Sequence, residues 1–224
     1  MMGVVYQHYK GAYYLGLGEA QHSEDESRYE AYFSLYPGQK NQLWIRPATM
    51  FHGLLEDDVT RRFSPKYQVR PSSIDEEAEV LGFGHDAWGE GRSLTDFLQS
   101  YEQSRFYQQS RRFLLSDLNG NALSKMNLIP FTPHLSGIAS VATRPQQRGR
   151  GLASLLLTAV MTLEEWRLPG MKWLLFSEVG EEMYRRLGFR RLPEDLQKFL
   201  PTVAMVRSAE PLRPSELSYL SHSF

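Results

Sequence analysis

Between Thr143 and Leu152 the chain reads T-R-P-Q-Q-R-G-R-G-L, with three arginines (Arg144, Arg148, Arg150) and two glycines (Gly149, Gly151). A β-branched, strand-like run ends just before this stretch, and a leucine-rich helical pattern starts just after it. The start of a helix carries unpaired N–H groups and the positive end of the helix dipole. Glycines without a Cβ let an anion approach that backbone, and arginines add side-chain charge. The chemistry this suits is the binding of a phosphate or diphosphate. Taken alone, the loop also fits a plainer reading, with glycines for turning and arginines for solubility.

Three nucleotide-binding arrangements compete for the stretch. A P-loop requires Gly-x-x-x-x-Gly-Lys-Ser/Thr, and the lysine is missing. A dinucleotide fold is approximated by "GRGLAS", with Glu178 after the next strand as a ribose-binding acid. Against it, the strand ends near Thr143 and Pro145, several residues before Gly149, and only 46 residues follow Glu178. The third arrangement needs the rest of the chain.

Other chemistry is bounded by composition. The chain of 224 residues has no cysteine, which removes thiolate nucleophiles, thiolate metal sites and disulfides and agrees with a reducing cytoplasm. A formal net charge of -1 argues against a general grip on nucleic acid or an anionic membrane. The longest nearly apolar stretch, Leu152 to Leu163, is 12 residues interrupted by Ser154, Thr158 and Thr162. A membrane span needs roughly 20. His8 and His22 could face each other across a hairpin as metal ligands, but no third ligand has suitable spacing, so no metal is expected.

The elements that must position the loop read as two pieces. Residues 1–65 alternate in strand fashion, as in "SRYEAYFSLY", with strand-like runs "VVYQHYKG", "YYLGLGEA" and "QLWIRP" and a turn at Pro37-Gly38. So small a unit closes most easily as an SH3-like barrel. The charged stretch "EDDVTRRFSPK" (Glu56 to Lys66) reads as a linker, and residues 66–224 as a second, α/β (α+β) domain. There a short strand "YQVRP" precedes a helix from Ser72 or Ser73, and a second helix spans about Ser93 to Tyr107. "RRFLLSD" and "ALSKMNLIPF" form a hairpin through Asn119-Gly120. "GIASVAT" leads into the loop. After the leucine-rich helix come a strand "KWLLFSE", a short helix "EEMYRRLGF" stopped at Gly188, and a strand "TVAMVR".

From about Tyr67 to Arg207 these residues resemble the GNAT family of N-acetyltransferases. "QQRGRG" is similar to that family's Gln/Arg-x-x-Gly-x-Gly/Ala pyrophosphate loop, "SGIASVATRP" to the strand before it, and "LLFSEVGEEMYRRLGF" to a later strand–helix segment. The element order agrees as well. Residues 1–65 resemble a small bacterial domain family of unassigned function, through "YQHYKG", "LGLGEAQHSE", "LYPG" and "LWIRPATMF".

The resemblance implies a cytoplasmic acyltransferase using acetyl-CoA as donor and a small-molecule or protein amine as acceptor. The strands before and after the loop would splay, with the pantetheine arm on the backbone of Val141, Ala142 and Thr143. The Val141 amide would polarise the thioester carbonyl. Gln146, Gln147, Arg148, Gly149, Arg150, Gly151, Leu152 and Ala153 would hold the diphosphate. Tyr184 occupies the position of the family's general acid; a core tyrosine packed on Leu187 is the alternative. No acidic residue lies between Leu135 and Thr143 to serve as base, so His134 is the first candidate, with Glu178 and His85 behind it. The stretch "GFGHDAWGEGRSL" would face the acceptor, with Trp88, Asp86 and Glu90 suiting an apolar cation. A non-catalytic acyl-CoA-binding scaffold, with the N-terminal piece gripping a partner, is the rival function; a homodimer is one option for the assembly.

Overall fold

The structure is a computed structural model, and it describes residues 3–36, 42–178, 180–199 and 201–221. The Pro37-Gly38 turn lies outside them. Hydrophobic alternation in the N-terminal piece gives β1 (Gly3–His8), β2 (Tyr13–Gln21), β3 (Arg28–Ser34) and β4 (Trp44–Pro47), an antiparallel meander followed by a short helix α1 (Ala48–His52). The second piece contributes β5 (Phe63–Pro71), α2 (Glu77–Leu81), α3 (His85–Trp88), α4 (Leu94–Glu102) and α5 (Arg105–Gln109). Then follow β6 (Arg111–Ser116), β7 (Ala122–Thr132), β8 (Leu135–Thr143), α6 (Leu152–Arg167), β9 (Lys172–Ser177), α7 (Glu182–Arg186), β10 (Arg190–Arg191), β11 (Val203–Arg207) and α8 (Pro214–Leu217).

The two pieces share one sheet. Its strand order is β10-β11-β9-β8-β7-β6-β5-β1-β2-β3-β4. Strand β5 pairs with β1 along Phe63–Val69 and with β6 along Gln68–Pro71. The expected linker from Glu56 to Lys66 is therefore corrected: its last four residues belong to a strand. Pro65, a poor strand residue, is accommodated because the β1–β5 register slips there, leaving Lys66 as an extra residue. The SH3-like closure is not seen either. The N-terminal strands have the expected meander, but among the described residues no ladder joins β4 back to β5. An aromatic cluster of Phe51, Phe63, Tyr32, Tyr6 and Tyr14 fills the space beside α1 instead.

The core is continuous as well. Helix α6 lays Leu152, Leu155, Leu156, Ala159, Val160 and Leu163 on the sheet, in one cluster with Val5, Leu15 and Phe33 of the meander and Phe113, Met126 and Trp173 further on. Trp166 reaches the edge of Phe33, ring centroids 5.7 Å apart. The opposite sheet face is covered by α2 and its neighbours near β6–β8 and by the C-terminal segment near β9 and β11. The helix expected from Ser93 to Tyr107 is broken in two, because Ser104 leaves the helix and caps α5 through the Tyr107 N–H. No helix among the described residues is long and apolar enough to cross a membrane.

Candidate functional site

After β8 the chain makes one turn of 3-10 helix (Pro145–Gln147) and enters α6 through Gly151. Gly149 and Gly151 have φ of +77° and +73°, a left-handed conformation that side-chain-bearing residues rarely adopt. A Cβ at either would meet no protein atom within 4 Å, so the space in front of the loop is open. Among the described residues, no backbone N–H from Gly149 to Ser154 donates to a protein acceptor. Six consecutive amides are thus without a protein acceptor at the positive end of a 16-residue helix, a charge and donor pattern that suits a diphosphate.

The three arginines divide their work differently from the sequence expectation. Arg148 turns its guanidinium away from the open space onto Asp86 (2.6 and 2.8 Å), the Phe83 carbonyl (3.0 Å) and the Thr143 carbonyl (3.1 Å). Arg144 pairs with Glu79, donates to the Ala122 carbonyl (3.0 Å) and covers the Phe83 ring. These two fasten the loop to the segment around α2 and α3. Arg150 bonds the Gln147 amide oxygen and forms no ion pair among the described residues, leaving its charge for a ligand. Asp86, proposed for the acceptor, is consumed by Arg148; the guanidinium holds its carboxyl below the usual range. Glu90 sits 3.7 Å from Arg92, which also stitches this loop through the Trp88 and Gly89 carbonyls. His85 bonds the Arg92 carbonyl (2.9 Å) and so serves the same loop.

Strands β8 and β9 run parallel and pair only from Leu135–Ile138 against Lys172–Leu175. Beyond that, β8 stays with β7 and β9 stays with β11, and a gap opens between them. A bulge sets the divergence. Lys125 pairs with Ala142 and Asn127 with Ala139, so three residue steps on β8 match two on β7. The extra residue is accommodated at Ser140, whose φ of +49° is strained for a non-glycine.

Aromatic and acidic groups gather at this gap. Tyr184 of α7 is 7% exposed, its ring edge-on to Phe189 at 5.9 Å. Burial and, less strongly, the Glu178 carboxylate push its phenol up to about 12, so it stays protonated through the neutral range. Glu178, just past β9, accepts the Trp88 indole N–H at 2.7 Å, joining the α3 segment to the end of β9. Tyr101 of α4 lies beside Ser140 of the bulge and within the field of Glu178. Sequence reasoning passed over Tyr101, and over Lys125 beneath it; the lysine inside a buried strand run was the available signal.

His134 falls elsewhere. It precedes β8 at the closed end of the β8–β9 ladder, its carbonyl accepting the Lys172 N–H at 2.8 Å. Six residue steps along the strand separate it from Ser140, roughly 20 Å. It therefore lies at the paired end of β8, away from the end where β8 and β9 separate. His8 and His22 also lie apart, at the end of β1 and beyond the far end of β2, His22 beside Asp25 at 3.0 Å. Among the described residues no cluster of three potential metal ligands occurs.

Residues 109–191 match the family model described as an acetyltransferase (GNAT) domain, and residues 4–65 match one described as a protein of unknown function, DUF1653. No curated protein matches the chain. Among solved structures, a putative N-acetyltransferase from Lactobacillus plantarum is 18% identical and covers 63% of this chain and 97% of its own, with a TM-score of 0.51. A spermidine N-acetyltransferase chimera from Vibrio cholerae and hSSAT is 15% identical over 70% and 98%, TM-score 0.51. A PaiA N-acetyltransferase from Thermoplasma acidophilum in complex with coenzyme A is 11% identical over 63% and 98%, TM-score 0.51. At these identities the likeness is one of fold.

Proposed function

Starting from a chain that carries a GNAT acetyltransferase domain in residues 109–191, we propose that it is an acetyl-CoA-dependent N-acetyltransferase acting on an amine. The observation that supports this best is the six amides from Gly149 to Ser154 without a protein acceptor, in the segment that follows the unpaired end of β8. That pairing suits a ligand with a diphosphate at one end and a narrow arm at the other, and coenzyme A has this form.

When bound, acetyl-CoA supplies an activated acyl thioester. The chain's own groups then have distinct tasks. Gly149, Gly151, Leu152 and Ala153 hold the diphosphate through their N–H groups, helped by the Arg150 charge, whereas the Gln147 N–H is spent on the Arg144 carbonyl at 2.8 Å. Gln146 lies at the exposed rim of the loop, and Arg148 holds it in shape. Val141 to Thr143 line the gap, and one N–H there, at or beside Val141, polarises the thioester carbonyl. Such a donor is worth about 2.7–4 kcal/mol in the transition state. Tyr184, protonated and buried against Phe189, donates its proton to the departing thiolate, and the proton that the attacking nitrogen sheds on becoming an amide restores the phenol. The direct attack leaves no covalent enzyme adduct.

The test is free-thiol release from acetyl-CoA over a panel of alkyl and aryl amines, beside calorimetric CoA binding. Turnover above a no-protein control supports the transferase. CoA binding with no turnover across the panel leaves the non-catalytic scaffold. Tyr184→Phe should keep CoA affinity and lose about 10²–10⁴-fold in kcat; unchanged kcat would remove Tyr184 from the mechanism.

A further inference from the structure

Deprotonation is the step for which the sequence offered no good group. An alkylamine reaches a protein at neutral pH as its ammonium, and its nitrogen cannot attack until one proton has left. Lys125 stands on β7 opposite Ala142, one strand in from the gap, on the sheet face shared with Leu114, Ala142, Val80 and Phe83. It is 2% exposed, and its Nζ is fully enclosed with no hydrogen-bond partner. The Tyr101 ring lies over it, 5.4 Å from Nζ to centroid. The hydroxyl of that tyrosine lies beside Ser140 in the bulge, at the edge of the gap.

The charged groups on the elements around it are committed elsewhere. Glu77 of α2 pairs with Arg112 of β6 at 2.6 Å, and Tyr107 of α5 bonds Glu77. Glu79 pairs with Arg144, Glu90 with Arg92, and Glu178 takes the Trp88 N–H. Tyr107 and Tyr184 are both pushed up to about 12 and stay neutral. With no anion to stabilise its charged form, burial alone pulls the Lys125 amine down to about 7. Proteins rarely keep an uncompensated ammonium in an apolar face, and they do so chiefly where a neutral amine is used.

We infer that Lys125, as its neutral amine, is the proton acceptor of the reaction, reached from the gap through the hydroxyls of Ser140 and Tyr101. The inference rests on the acetyl-transfer reading. The acceptor ammonium gives one proton to this hydroxyl pair, which passes one on to Nζ once the lysine side chain swings from the Tyr101 ring face to the hydroxyl. The acceptor becomes a neutral amine, Lys125 becomes an ammonium, and both hydroxyls end as they began. After acylation the Lys125 proton returns to solvent along the same path. The sequence pattern hides this group, because it sits in a strand whose other residues are there to be buried.

The experiment compares wild type, Lys125→Met and Lys125→Arg. Acceptors are an alkylamine, protonated at neutral pH, and an arylamine, neutral there. Lys125→Met should lose roughly 10²–10⁴-fold in kcat with the alkylamine and far less with the arylamine. The acid limb of its alkylamine kcat/KM profile should move away from pH 7. Lys125→Arg should fail likewise, since a guanidinium does not give up its proton. In Lys125→Met, CoA affinity should stay within about twofold and Tm should hold or rise, because a buried amine with no partner has been removed. In isotope-labelled protein, the one of six lysine side-chain resonances that Lys125→Met abolishes should titrate near 7. Equal alkylamine turnover by wild type and Lys125→Met, a fall in Tm that accounts for the lost activity, or titration near the ordinary lysine value overturns the inference alone. Wild type that binds CoA but turns over no amine sinks the transfer reading and this inference with it.

Discussion

Among the described residues two lysines are buried in this sheet, and the protein treats them in opposite ways. Lys172, 6% exposed on β9, donates to the Glu216 carboxylate at 2.8 Å and the Pro211 carbonyl at 3.1 Å. Glu216, wholly enclosed, also takes the Arg213 backbone N–H at 2.6 Å and its guanidinium at 3.0 Å. Burial pushes the Glu216 carboxyl up, but these bonds more than reverse it and leave it at about 2. That site clamps the C-terminal segment to the sheet. Lys125 is deeper and has no such partner. A satisfied buried charge reads as architecture; an unsatisfied one, beside a gap and a strained bulge, reads as chemistry.

The contrast can be broken most forcefully at the clamp. Lys172→Met should destabilise the fold by up to about 3–5 kcal/mol, since it leaves the buried Glu216 with only the exposed Arg213 guanidinium as counter-ion. Adding Glu216→Leu should recover much of that loss in denaturant titrations. If the single variant were as stable as wild type, the clamp would not be structural. Next in size, Lys125→Met should unfold at higher denaturant, a gain of about 1–4 kcal/mol. A loss would erase the distinction between the two sites.

The pH dependence of stability sharpens the same contrast. The Lys125 amine binds its proton up to 10.5 in the unfolded chain but only to about 7 when folded. Between those values the unfolded state holds more protons, so stability should climb as pH rises through that window, and Lys125→Met should flatten the climb. For Glu216, lowered from 4.5 to about 2, the contribution is complete above 4.5 and drains away as pH falls toward 2. Equilibrium unfolding at a series of pH values measures both. The smallest expected effect lies at the loop: Gly151→Ala forces a Cβ into a left-handed residue and should cost about 1–2 kcal/mol. Calorimetry should show weaker CoA binding as the N–H groups tilt.

Much of the site was written in residue types at short spacing. The glycines, the arginines and the leucine stripe locate the phosphate cradle, and Asn119-Gly120 locates the hairpin behind it, because local backbone geometry demands those residues. What stayed hidden depends on residues far apart in the chain. Arg148 and Asp86 are 62 positions apart, and Trp88 and Glu178 are 90 apart, so no local pattern reveals that each pair is spent on the other. The shared strand was missed for a different reason. Ser64-Pro65-Lys66 has linker composition, and only a bulge opposite β1 makes it fit a ladder. Lys125 was overlooked because alternation assigns a strand lysine to solvent, whereas both faces of β7 are covered.

Strand β5 has a consequence for anyone handling the protein. Since it hydrogen-bonds to both halves, scissors placed anywhere near residue 63 would yield fragments with raw, adhesive edges, not a pair of freestanding modules. Nor can the halves swing like beads on a string. A force applied to the meander would be felt, through Phe33 and Trp166, along the back of the helix that carries the anion cradle.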